Sequence, residues 1–196
     1  MELKNTASDY KSTLTNKIWK TRKSRINASE RLLAKAKYFE LLNVVYSIFV
    51  IALSVISLLP NKSNYAIFST IGSTALAILV IYANTSGLRD RSYALKNNYI
   101  SLHELLNKME SVDSSDKEAI DGIAEEYTKL LNDCENHTSF DMYRSKHEAH
   151  DEKWQLTWDE KAKYFVRVIL EGLAKAIFIL LPIGILIYLI IAGWLL

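Results

Sequence analysis

The sequence predicts an all-α membrane protein: a transmembrane helical hairpin, a third span at the C-terminal end, and a cytoplasmic antiparallel helical hairpin between them. Three observations carry that prediction. Two uncharged apolar runs, Leu41 to Leu59 and Tyr65 to Leu88, are separated only by Pro60-Asn61-Lys62-Ser63-Asn64. A third apolar run, Ala176 to Leu196, closes the sequence. Between the runs the charges are segregated, and a mean hydropathy of +0.02 conceals this by averaging. Each run is about 20 residues, the length an α-helix needs to cross ~30 Å of hydrocarbon.

Residues 1–40 form a basic N-terminal segment, with ten Lys/Arg against four Asp/Glu for a net +6. The first 14 are polar and predict a frayed end. From Thr15 a helix is expected, with Ile18, Trp19, Ile26, Leu32, Leu33, Ala36 and Phe39 on a broken apolar face. A basic amphipathic segment of this kind either binds anionic headgroups or serves as a positive flank packed on other cytoplasmic helices. No signal peptide is expected, because some forty hydrophilic residues precede the first apolar run.

Residues 41–88 are the membrane hairpin, its linker short enough to force an antiparallel turn. Basic residues cluster before the first run and after the second, at Arg89, Arg91 and Lys96. Lys161, Lys163, Arg167 and Lys175 stand before the third, and of 24 basic residues only Lys62 is left on the far side. The positive-inside rule then places the N-terminus in the cytoplasm and the turn outside, with Trp194 as an interfacial anchor. Pro182 and Gly184 leave a re-entrant helix as the alternative for the last run, although spanning helices tolerate proline.

Residues 89–160 hold the cytoplasmic hairpin and a junction. The second span is expected to continue past the bilayer, with Gly87 as its weak point. Leu88, Ser92, Leu95, Tyr99, Leu102, Leu106 and Met109 step by four and three, a heptad seam interrupted only by Ser92. A polar turn follows. Ser115 with Glu118 predicts a capping box for a second helix, whose seam is Ile120, Ile123, Tyr127, Leu130 and Cys134. Both stripes need covering, by the N-terminal helix or by other subunits. The region 97–160 carries six Lys/Arg against sixteen Asp/Glu, net −10, and 135–160 reads as its least regular part. Residues 161–196 are an amphipathic helix leading into the last span, started by a Thr157/Glu160 capping box and carrying Tyr164, Phe165, Val168, Ile169 and Leu173.

Two groups of residues are candidate sites. Asn43, Ser47 and Ser54 share a face of the first span; Thr70, Ser73, Ala77 and Asn84 share one of the second. Small and weakly polar residues at such steps either pack helices closely or line a pore when several hairpins assemble. The spans hold no ring of charge, so a charged selectivity filter is not expected. The second group is Glu135-Asn136-His137 with Asp141, which suits either a hydrogen-bonded structural junction or a ligand-sensing or partner-docking site. His147 and His150 are three apart, not the four of a zincin helix, and no third ligand is spaced for them. Metal, cofactor and catalytic residues are therefore not expected. Neither a P-loop nor a dinucleotide fingerprint nor a Ser-His-Asp spacing occurs, and the one cysteine, Cys134, excludes an internal disulfide.

The basic lead-in Trp19/Arg22/Arg25 with Arg31-Leu32, the stretch Tyr99-Ile100-Ser101-Leu102, and Tyr127-x-x-Leu130-Leu131-x-x-x-Glu135-Asn136-His137-x-x-x-Asp141 together resemble the SLATT domain family. Glu-Asn-His is the most specific element, and the extra C-terminal span resembles members with a third membrane segment. The resemblance implies a bacterial inner-membrane effector in antiphage defence. Such an effector oligomerises and breaches the membrane when a partner signals, the partner being a nucleotidyltransferase, a SLOG-domain protein or a reverse transcriptase. It implies no catalytic residue, and direct nucleic-acid binding is not expected. The rival reading is a membrane tether whose acidic hairpin recruits a soluble enzyme. A metal-dependent membrane hydrolase would rest on His147 and His150 alone.

Overall fold

The computed structural model describes residues 2–59, 62, 64–149 and 154–195, with side chains described from residue 8 to residue 191 within those ranges. Six helices carry the chain: α1 (Glu2–Ile56), α2 (Asn64–Thr85), α3 (Leu88–Ser111), α4 (Lys117–Asn132), α5 (Ser139–Glu148) and α6 (Trp158–Leu195). No strand occurs among the described residues. Helices α1 and α6, and the stretch of α2 with α3, are each long and apolar enough to cross a membrane. The linker residues Pro60, Asn61 and Ser63, the side chain of Trp194, and His150 lie outside what is described.

The chain divides into two units. One is residues 1–33 with 89–164; the other is 34–88 with 165–196. The first forms around one apolar cluster. Leu14 and Ile18 of α1 meet Leu102, Leu105, Leu106 and Met109 of α3, and Ile120 and Ile123 of α4. The N-terminal segment of α1 is therefore the cover that the two heptad stripes require. Lys11 Nζ donates to the Val112 carbonyl at 2.6 Å, and Ser29 Oγ donates to the Ser92 carbonyl at 2.9 Å, so α1 and α3 run antiparallel. Helix α5 is antiparallel to α1 as well, through Arg31–Asp141 and Asn27–Ser145.

Four expectations need correcting. The N-terminal segment is helical rather than frayed: α1 starts at Glu2, and Leu14 and Lys11 tie it to the core. The second span is interrupted before α3, because Gly87 takes φ 57°, a left-handed conformation open to glycine at no steric cost. The cap of α4 is Asp116, whose carboxylate accepts from the Ala119 amide at 3.0 Å. Ser115 is unavailable for that cap because its amide and hydroxyl both bond Asp113 Oδ1. Finally, residues 139–148 are a regular helix. Thr138 and Asp141 close a capping box there, satisfying otherwise orphaned amides. The Thr157/Glu160 box at the start of α6 forms as its spacing predicts, at 3.0 and 3.3 Å.

In the second unit α1 and α2 are antiparallel. Phe39 meets Tyr82 edge-on at 5.9 Å, and the Ser54 and Ser69 hydroxyls share a hydrogen bond of 2.5 Å. Gly72 lies so near Val50 that an added Cβ would sit 3.2 Å from Cγ2. Tyr38 donates to the Lys175 carbonyl of α6 at 3.1 Å, with the Lys175 ammonium over its ring. Helix α6 runs through Pro182 without a break.

Candidate functional site

Two places gather the residues singled out by the sequence. The first is a buried polar junction. On α1, Leu14, Ile18, Thr21, Arg25, Ala28 and Leu32 step by four and three, so Arg25 occupies a core position of an otherwise small or apolar seam. Its side chain is completely buried. It donates from Nη1 to Asn98 Oδ1 and to the Leu130 carbonyl, the latter at 2.8 Å, and from Nη2 to the Leu131 carbonyl at 3.2 Å. Asn98 Nδ2 donates to the same Leu130 carbonyl at 2.8 Å. The last carbonyls of a helix have no partner within it, and here a guanidinium from α1 satisfies those of α4.

Asp141 is the second centre of the junction and is 1% exposed. Arg31 grips it in a two-pronged pair, Nε to Oδ1 at 2.7 Å and Nη2 to Oδ2 at 3.1 Å. The Thr138 amide and hydroxyl donate to Oδ2 at 2.8 and 2.7 Å. Burial on its own raises the Asp141 pKa; the hydrogen bonds from Arg31 and Thr138, with the Arg31 charge, outweigh that and hold it below the usual carboxylate value. Around it, Asn27 donates to Ser145 at 2.9 Å, Lys23 pairs with Glu148 at 3.2 Å, and Arg144 bridges Glu30 and Glu148. Residues 1–33, the larger part of the basic N-terminal segment, thus meet the acidic region 97–160 inside one unit. This places its inward-facing cations in structural contacts.

His137 is half-buried, and its Nδ1 is enclosed without a partner. Burial pushes its pKa down, Asp141 opposes that, and Arg25 reinforces it. Glu135 accepts two-pronged donation from Arg91, with Nε at 3.0 Å and Nη2 at 2.5 Å, on an exposed flank where such a pair adds little. Asn136 is exposed. His147 is exposed and its ring lies 5.3 Å from Tyr164. Among the described residues no group of three metal-ligating side chains forms.

The second place is the pair of stripes in the spans, and they part company. The α1 stripe faces the hairpin: Asn43 and Ser47 are half-buried, and Ser54 bonds Ser69 of α2. The α2 stripe faces away. Thr70, Ser73, Ala77 and Asn84 are all exposed, while the face of α2 packed on α1 is that of Ser69 and Gly72. Thr70 and Ser73 donate back to the Ala66 and Thr70 carbonyls, at 2.8 and 2.9 Å, which leaves their oxygens free to accept.

Sequence reasoning missed Asn98, Asn27, Ser145 and Ser69 as partners, and it named Arg25, Arg31 and Asp141 without pairing them. A heptad count through Arg25 was the available signal.

These features define an α-helical membrane protein whose N-terminal helix is locked into a helical bundle through the hydrogen bonds of buried Arg25 and the Arg31–Asp141 ion pair. The chain belongs to the SMODS and SLOG-associating 2TM effector domain family 5, whose model matches residues 7–189, as the resemblance leads one to expect. It is thus a membrane effector domain of a defence-associated family. The curated proteins and the solved structures give no match to it.

Proposed function

We propose that this protein is an effector of the bacterial inner membrane, N-terminus in the cytoplasm, that assembles into a homo-oligomeric pore or leak and halts the cell in antiphage defence. It does so without catalysis, under the control of a nucleotide signal or of a partner of the SMODS or SLOG type that the family is named for. The observation that carries this reading is the α2 stripe. Thr70, Ser73, Ala77 and Asn84 lie on the side of α2 that the chain's own α1 does not use. Turned toward a common axis in an assembly, their hydroxyl and amide oxygens line a polar path of low selectivity. The alternative role for the stripe is close helix packing between copies, which the same residues serve. The buried junction suits a receiver of the signal, since a ligand or partner there acts directly on α1, the helix that continues into the span.

The test is regulated expression in cells loaded with a potential-sensitive dye. Triggering depolarises cells making the native chain, and Ser73→Leu with Asn84→Leu suppresses it. An unchanged potential under the triggering condition overturns the pore. If the spans can be exchanged for generic Leu/Ala helices with function intact, the protein is a tether instead.

A further inference from the structure

The second unit carries more positive charge than it can answer from within. Residues 34–88 and 165–196 hold Lys35, Lys37, Lys62, Arg167 and Lys175 against two side-chain carboxylates, Glu40 and Glu171. Arg167 takes Glu171 at 2.7 Å, and Glu40 is engaged as well. Among the described residues Lys35, Lys37 and Lys175 meet no carboxylate, and all three are exposed. Lys62 stands apart from them, in the turn at the far end of the hairpin.

The three lysines share one level. A helix turns about 100° per residue, so Lys35 and Lys37 emerge on either side of Tyr38. Tyr38 donates to the Lys175 carbonyl at 3.1 Å, which brings α6 in at the same height. The three side chains therefore leave their helices within about 5 Å of one another along the helix axes. The Lys175 ammonium lies 5.9 Å from the centre of the Tyr38 ring, and that of Lys35 lies 5.8 Å from the Phe39 ring. An aromatic face holds an ammonium group while leaving its N–H donors open. The uncharged runs start just beyond, at Leu41 on α1 and Ala176 on α6. This level is thus the edge of the hydrocarbon, where lysines and aromatic rings gather.

We infer that Lys35, Lys37 and Lys175 bind the headgroup phosphate of an anionic phospholipid beside Tyr38, where α1 meets α6. The counter-charge missing from the unit is what such a headgroup supplies. A zwitterionic headgroup carries its own ammonium and has no net charge to offer. A phosphate free in water has the charge but no acyl chains, and open Leu41 and Ile177 give those chains an apolar wall next to the cations. The site requires only that the spans lie in a bilayer, not that the assembly proposed above conducts.

The test is native mass spectrometry of the full chain in an uncharged detergent with added phosphatidylglycerol or phosphatidylcholine. The native chain retains phosphatidylglycerol at least about ten-fold more than phosphatidylcholine. Lys35→Gln, Lys37→Gln and Lys175→Gln combined lower that retention at least about ten-fold, since each lysine at an anionic surface is worth roughly a factor of five. Lys35→Arg, Lys37→Arg and Lys175→Arg combined preserve it. Lys17→Gln, Lys117→Gln and Lys129→Gln combined remove as much charge from exposed positions of the first unit and leave retention within about two-fold. Equal retention of the two lipids, or an equal loss in both glutamine triples, overturns the site. Inorganic phosphate that strips the lipid where chloride of equal ionic strength does not identifies a soluble phosphate as the ligand and overturns the lipid assignment. The readout involves no leakage, so a bound lipid with unchanged membrane potential refutes the pore and leaves the site standing.

Discussion

The two units of this chain solve opposite problems with the same helix. In residues 8–33 of α1 the aliphatic seam turns inward: Leu14, Ile18 and Leu32 are at most 6% exposed. In residues 41–56 of α1 only Leu42 and Leu53 are buried, and Leu41, Val44, Ile48, Ile51 and Val55 stand 47–62% open. Polar groups follow the inverse rule. The first unit buries Arg25, Asn27, Asn98 and Asp141, each with partners, while in the second Ser69 is the buried polar side chain among the described residues. The comparison teaches what each solvent demands. Water makes apolar burial favourable and tolerates a buried charge only when it is paired. Lipid removes the drive to bury leucine and leaves packing of small residues, here Ser54, Ser69 and Gly72, to hold helices together.

The largest break in this comparison comes from emptying its polar centre. Arg25→Ala strips the Leu131 carbonyl and Asn98 Oδ1 of their donor and leaves the end of α4 buried and unsatisfied. Each buried neutral acceptor left without its donor costs about 1–3 kcal/mol. The expected outcome is a large fall in the unfolding temperature of the solubilised protein. Trp19 and Trp154, edge-on at 5.3 Å within this unit, report it by fluorescence. Arg25→Lys recovers little, since one ammonium lacks the planar fork that reaches two carbonyls and an amide together.

A smaller effect separates the units by pH. His137 has its folded pKa depressed by burial, so the unfolded chain takes up the proton at a higher pH than the native one. Across that window the unfolded state holds more protons, and stability rises with pH. Acidifying from about pH 7.5 to 5.5 therefore destabilises the first unit, and His137→Gln flattens that slope. Asp141, depressed by its hydrogen bonds, adds a second loss at lower pH, as its carboxylate is protonated. No histidine lies in residues 34–88 or 165–196, so secondary structure there is unmoved across the first window.

Much of this contrast was legible in the residues. Uncharged runs of spanning length declare lipid, and the seam Leu95, Leu102, Leu106 and Met109 declares a helix that packs on others. Local chemistry misled in the details. Ser92 looked like a flaw in the seam because a sequence does not show Ser29 63 positions away, which shares its hydrogen bonds. Arg25 looked like one more positive flank charge, although its spacing from Ile18 and Leu32 put it in the core. Helix α5 escaped because ten residues with three apolar positions, Phe140, Met142 and Tyr143, carry little periodicity; only the Thr138-to-Asp141 box announced it. The α2 stripe was visible as a stripe, but the side of α2 that α1 uses is decided by the near contact at Gly72, which only coordinates reveal.

The smallest expected effect sharpens the comparison most. Leu102 is fully buried, and Ile48 is 59% exposed. By hydropathy alone the two side chains are equivalent. Leu102→Ala leaves a cavity in a water-driven core and costs about 2–5 kcal/mol. Ile48→Ala removes as much hydrocarbon from a side chain that touches acyl chains or detergent in the folded state and in the unfolded, membrane-held state alike. No transfer from water is lost and no cavity forms, so the cost stays within about 0.5 kcal/mol. Thermal unfolding of both variants in one detergent, read against the native chain, measures the difference. A cost at Ile48 approaching that at Leu102 would mean that another protein surface, rather than lipid, covers this face of α1.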